Sequence, residues 1–126
     1  MVKTRKMIGE TKLERAVARL VNRNADGDIR GFLEDLAKGG CASGLVGELI
    51  YYVDTIRFYK HHRQEIADLL EETCNEFGGD PADVFGDKWD KDDPLARREN
   101  NQNLLAWFAF EETAHRLGIE QGFIED

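Results

Sequence analysis

The chain has few prolines, few cysteines and no long hydrophobic run, and each shortage excludes something. Its two prolines, Pro81 and Pro94, fall in one segment of the 126 residues, which leaves the rest free to form long helices. Two cysteines, Cys41 and Cys74, make neither a disulfide framework nor a metal knuckle, and both read as small buried hydrophobes. No apolar run approaches the roughly 18 residues of a membrane span. The basic start, Met1-Val-Lys-Thr-Arg-Lys6, has no apolar stretch behind it, so it is not a secretory signal. The expected compartment is therefore the cytoplasm. Strand-like alternation, internal repeats, interdomain linkers, a Ser-His-Asp pattern and cofactor fingerprints are all missing, and no cofactor is expected.

Charge is what the chain has in excess. The net charge of −8 is unevenly spread. Residues 1–40 hold 9 Lys and Arg against 6 Asp and Glu, whereas residues 41–126 hold 8 against 19. Acids are densest over 65–93, where 11 face only Lys88 and Lys91. Such a surface argues against direct nucleic-acid binding, which needs cations for the phosphates. Its natural complement is a partner with a basic surface.

The apolar residues recur at helical spacing and predict an all-α, compact single-domain bundle of about five helices over residues 1–126. The first helix, about 11–23, carries the stripe Leu13, Val17, Leu20 and Val21. The second begins at a capping Asp26 or Asp28 and buries Ile29, Phe32, Leu33 and Leu36 before stopping at Gly39-Gly40. The third, about 45–59, is two-faced, with Gly47, Tyr51, Asp54 and Phe58 on its second side. The fourth, about 61–77, follows with little or no break and buries Ile66, Leu69, Leu70, Thr73, Cys74 and Phe77. Six aspartates, two prolines and a glycine in residues 80–94 then predict a long acidic loop, over 78–99 in all. The last helix starts at Pro94 or Asn101 and runs to Leu117. Its first two turns are apolar all round, which predicts burial. Residues 1–10 and 118–126 are expected to fray.

Several constellations could carry chemistry. Glu112-Thr-Ala-His115 has the spacing with which a carboxylate and an imidazole share a helix face in di-iron bundles. Glu111 adds a carboxylate one turn before His115. A di-metal site needs two such motifs and two more glutamates, and only His62-x-x-Glu65, in reversed order, and Glu48 could add to this one. Asp54 sits among apolar neighbours, so a buried polar network of Asp54, His115 and Glu111 is expected. Residues 22–29, with Asn22, Asn24, Asp26, Gly27 and Asp28, imitate part of a calcium loop. The twelfth position is Leu33 rather than a bidentate carboxylate, so the segment reads as a turn. The Gly39-Gly40-x-x-x-Gly44 connection, which contains Cys41, lacks the Lys-Ser/Thr of a phosphate loop and reads as backbone clearance. Trp89, flanked by aspartates, is a candidate anchor for a partner.

Two blocks carry a resemblance: Gly40-Cys-Ala-Ser-Gly-Leu-Val with Leu49-Ile-Tyr-Tyr-Val-Asp-Thr, and Asn103-Leu-Leu-Ala-Trp-Phe-Ala-Phe-Glu-Glu-Thr-Ala114. They resemble a family of small all-helical proteins of unknown function from bacteriophages, prophages and mobile elements. The resemblance spans about 39–77 and 100–117, leaving the first forty residues and the acidic loop without a counterpart. It implies a helical fold and a mobile-element origin, and brings no catalytic residues.

The leading expectation is a non-enzymatic phage or mobile-element accessory protein, monomeric or homodimeric. It would bind a host protein with a basic surface, as an inhibitor of CRISPR or restriction defence would. Asp68, Glu71, Glu72, Trp89, Asp90, Asp92 and Asp93 would form the contact. One competing reading is a metal-carboxylate protein or enzyme using Glu111, Glu112, His115, His62 and Asp54, with Glu112, His115 and His62 as ligands. Another is a structural homo-oligomer joined through the second face of the third helix.

Overall fold

The computed structural model describes residues 5–39 and 54–125. Among these the chain is all-helical, with six α-helices, one 3-10 turn and no strand. No helix among them is long and apolar enough to cross a membrane. Residues 45–53 of the predicted third helix, with Gly47 and Tyr51 of its second face, lie outside the described residues, as do Cys41 and the 40–44 connection. Contacts gather the rest into two compact units, one drawn from residues 5–39 and 110–125, the other from Asp54–Ala109.

In the first unit, α1 (Lys12–Ala25) opens on a capping box. Thr11 Oγ1 accepts the Glu14 N–H at 3.1 Å, and Glu14 Oε1 accepts the Thr11 N–H at 3.2 Å. Its predicted stripe is inside: Leu13, Val17 and Val21 are buried and Leu20 half-buried. The helix ends at Asp26 in the left-handed region (φ 48°), where Gly27 (φ 87°) completes the turn. Asp28 Oδ1 then accepts the Gly31 N–H at 3.0 Å and starts α2 (Ile29–Gly39). Ile29, Phe32, Leu33 and Leu36 are all buried, and α2 packs on α1.

The second unit begins with a correction. Asp54 is not inside a helix: its backbone is extended and it caps α3 (Thr55–His61), its Oδ1 accepting the Arg57 N–H at 3.1 Å. A carboxylate in a hydrophobic string marks a helix start here, not a buried anchor. His62 separates α3 from α4 (Arg63–Phe77), the short break expected around residues 60–62. Ile66, Thr73 and Cys74 of α4 are buried, but Phe77 is 63% exposed, against its expected place inside. Gly78 (φ 118°) stops α4, its N–H donating to the Cys74 carbonyl.

The acidic segment that follows holds only short elements, α5 (Pro81–Phe85) and a 3-10 turn (Gly86–Lys88), and α5 packs on α4. The last helix, α6 (Glu99–Glu120), contributes its first half to the second unit and its second half to the first. Leu105, Ala106, Ala109, Phe110, Ala114 and Leu117 are buried, as the apolar turns predict.

Both ends expected to fray make hydrogen bonds where they are described. α6 closes with the Phe123 N–H donating to the Gly118 carbonyl at 2.8 Å and the Gly122 N–H to that of Ile119 at 3.1 Å. With Gly122 at φ 76°, this is a Schellman motif. Phe123 is buried, with the Arg5 guanidinium 4.1 Å above its ring.

Candidate docking face

On the outer side of α4, Asp68, Glu71 and Glu72 are exposed, opposite the fully buried Ile66. A helical step of 100° per residue separates the two faces. Asp68 is braced by Gln64, whose Nε2 donates to its Oδ1 at 3.1 Å. Glu76, Asp80, Asp83 and Asp87 are also exposed, and extend the face past the helix. No Lys or Arg occurs in residues 64–87.

This placement runs against helix electrostatics. The C-terminal end of a helix carries partial negative charge and favours cations, by about 0.3–1 kcal/mol for a surface group. The last turn of α4 has no basic residue and contains Glu76. The local field is visible at Cys74: burial pushes its thiol pKa up, and the charges of Asp80 and Asp83 push it further the same way. Glu76 therefore sits where it weakens its own helix.

The residues expected to continue this face into the loop divide. Asp92 is exposed. Asp90 is half-buried and paired with Arg98 at 3.3 Å. Trp89 and Asp93 belong to the interior. Trp89 is 6% exposed and stacks on Phe85, with centroids 5.6 Å apart and planes 18° apart. Phe85 meets Phe108 edge-on at 5.6 Å. Trp89 therefore pins the loop to its own unit and is no free anchor.

Asp93 closes the turn into α6. Its Oδ1 and Oδ2 accept the N–H groups of Arg97 and Arg98, each at 2.8 Å. Burial would raise its pKa, but those two N–H groups and the two guanidinium charges outweigh it and hold the carboxyl below its ordinary value.

The residue that organises this loop is one the sequence reading missed. Asn101 is fully buried; its Nδ2 donates to the carbonyls of Asp90 (2.9 Å) and Asp93 (2.8 Å), and its Oδ1 accepts the Asp90 N–H at 2.9 Å. Asn100 donates to the Lys88 carbonyl at 3.1 Å and Gln102 to that of Ala96 at 2.9 Å. The run Asn100-Asn-Gln-Asn103 at the mouth of an apolar helix was the available signal: side-chain amides there serve a neighbouring backbone.

The alternative constellation does not assemble as a buried network. Asp54 and His115 are both exposed, and Glu111 is half-buried. His115 lines an open cleft of about 380 Å³ with Arg30, Leu33, Glu34 and Ile124. Glu112 pairs with Arg116 at 2.9 Å, one turn along. His62 is buried between α3 and α4, its ring 4.9 Å from that of Phe58. Among the described residues no three His, Cys, Asp or Glu side chains are grouped to hold a metal ion. In the would-be calcium loop the side chains have other duties: Asn22 Oδ1 accepts from the Met7 N–H, Asn24 Nδ2 donates to the Leu20 carbonyl and Asp28 Oδ1 caps α2.

These features define an all-helical protein with an acidic exposed face and an amide-pinned loop. The chain belongs to the family described as domain of unknown function DUF7222, whose profile matches residues 10–122. The match takes in α1, α2 and the acidic loop, regions in which the resemblance read from the sequence had found no counterpart. Comparison with curated proteins and with solved structures gives no match.

Proposed function

We propose that this protein is a non-enzymatic accessory protein of a phage or mobile element. In this reading it binds a host protein through the acidic face of α4 and the segment after it. The supporting observation is the repulsion among like charges on and after α4: Asp68, Glu71 and Glu76 are exposed, the last turn holds no cation, and more exposed aspartates follow. A partner with a basic groove would relieve that repulsion on binding. A nucleic-acid-handling defence complex offers such a groove, and an acidic protein could occupy it in place of DNA. The mobile-element origin rests on the sequence resemblance.

The test is affinity capture from host lysate with the wild-type chain and with the Asp68→Lys, Glu71→Lys, Glu72→Lys, Asp92→Lys variant, both verified as folded by circular dichroism. The wild type should retain a nucleic-acid-binding protein that elutes at high salt and whose nuclease activity it inhibits. The variant should lose it. Retention by the folded variant would rule out the acidic face.

A further inference from the structure

Two carboxamides in the first unit each grip the backbone of one residue in the segment before α1. The Met7 N–H donates to Asn22 Oδ1 at 2.8 Å, and Asn22 Nδ2 donates to the Met7 carbonyl at 2.8 Å. At the next residue the Ile8 N–H donates to Gln121 Oε1 at 2.9 Å, and Gln121 Nε2 donates to the Ile8 carbonyl. The segment is thus held between α1, which carries Asn22, and the end of α6, which Gln121 follows.

All four bonds use main-chain groups of the segment, so the grip is indifferent to its side chains. Selection falls to one position: Met7 is 3% exposed, whereas Ile8 is 68% exposed. Main-chain hydrogen bonds for affinity with side-chain pockets for specificity is how extended peptides are commonly recognised. The segment has no regular secondary structure of its own. It leaves across the first turn of α1 at Gly9, where a Cβ would run into the Glu14 backbone. An open cleft of about 390 Å³ continues beside it, lined in part by Arg5, Ile8, Leu117 and Gln121. The family match begins at residue 10, so both carboxamides lie inside it and Met7 and Ile8 outside.

We infer that Asn22, Gln121 and the hollow that takes Met7 form a docking site for an extended segment of a protein partner bearing a methionine-sized apolar residue, and that residues 5–10 cover it as a displaceable strap. The site lies in a different unit from the acidic face of α4 and does not rest on the function proposed for that face.

The test titrates the full chain carrying Met7→Asp, which weakens the strap and leaves the site intact, with a fluorescein-labelled peptide of residues 5–11. This variant should bind the peptide one to one, at least tenfold tighter than the wild type, whose own strap competes. Asn22→Ala with Gln121→Ala in the same chain should abolish binding, as should the Met7→Asp change made in the peptide. A folded variant with no saturable binding, or equal binding of both peptides, overturns the inference. A second measurement needs no variant. In wild type the Met7 and Ile8 amides should exchange hydrogen at least tenfold faster than those of Val17 and Val21. Exchange of all four only through global unfolding would make the segment a fixed part of the fold and overturn the inference equally.

Discussion

The Asn101 carboxamide donates to the Asp93 carbonyl at 2.8 Å, while the Asp93 carboxylate accepts the N–H groups of Arg97 and Arg98. One residue at the start of α6 and one in the turn before it thereby satisfy the backbone of a loop that holds no long element. Replacing Asn101 with Leu keeps the branching at Cγ, in a larger side chain, and removes every bond. The Asp90 N–H and the Asp90 and Asp93 carbonyls are then left without this partner, at a cost of about 3 kcal/mol. Urea unfolding followed by circular dichroism should show a lower midpoint at unchanged slope. A loss below about 1 kcal/mol would mean that water replaces the amide.

Asp93 also gives stability a defined pH dependence. Its folded pKa lies below the ordinary carboxylate value, so the charged form is favoured by folding. Its contribution is complete above the unfolded pKa and is lost as pH falls through the lowered folded value. Asp93→Asn removes that dependence. The difference in melting temperature between wild type and variant should be constant near neutral pH and shrink on acidification below the ordinary carboxylate range. A difference that grows on acidification would reverse the sign of the argument.

Trp89 is an internal pin, and its replacement should act on the fold first. Trp89→Ala removes the stack on Phe85 and should cost about 3–5 kcal/mol, the usual range for a large buried aromatic. In a Trp107→Phe chain, where Trp89 is the remaining indole, acrylamide should quench its fluorescence only weakly in the folded state. Quenching as efficient as in the unfolded chain would show Trp89 at the surface.

The local periodic signals in the sequence were reliable, and the misreadings have a common cause. Leu13, Val17, Val21, Ile29, Phe32, Leu33 and Leu36 are buried because a helical stripe needs only its neighbours in sequence to be read. Asp54 was misread because apolar residues on both sides look like a helix interior, whereas an N-cap is set by backbone geometry. Trp89 between aspartates suggested exposure. Its burial depends on Phe85 and on the amides of Asn100 and Asn101, up to twelve residues away. The strap was illegible for the same reason: Ile8 and Gln121 are 113 positions apart. Of the candidate face, the α4 acids were legible from charge and spacing alone, because their exposure follows from the same helical periodicity that buries Ile66.

Gly118 supplies a prediction in which two opposing effects can be separated. It lies within α6, where alanine would ordinarily stabilise by up to about 1 kcal/mol. A Cβ at this position, however, would come within 2.6 Å of Leu33 Cδ1 and 3.1 Å of Ile124 Cγ1. Leu33 is buried on α2, in an interior packed too closely to absorb the overlap freely. Overpacking of this kind costs about 1–3 kcal/mol, so Gly118→Ala should be net destabilising. Leu33→Ala removes the obstructing methyl and costs stability by itself. In that background Gly118→Ala should change sign and become stabilising, because the helix preference survives while the clash is gone. A double-mutant cycle by urea unfolding reads the effect directly. Additive behaviour of the two substitutions would show that Leu33 is not what holds position 118 to glycine.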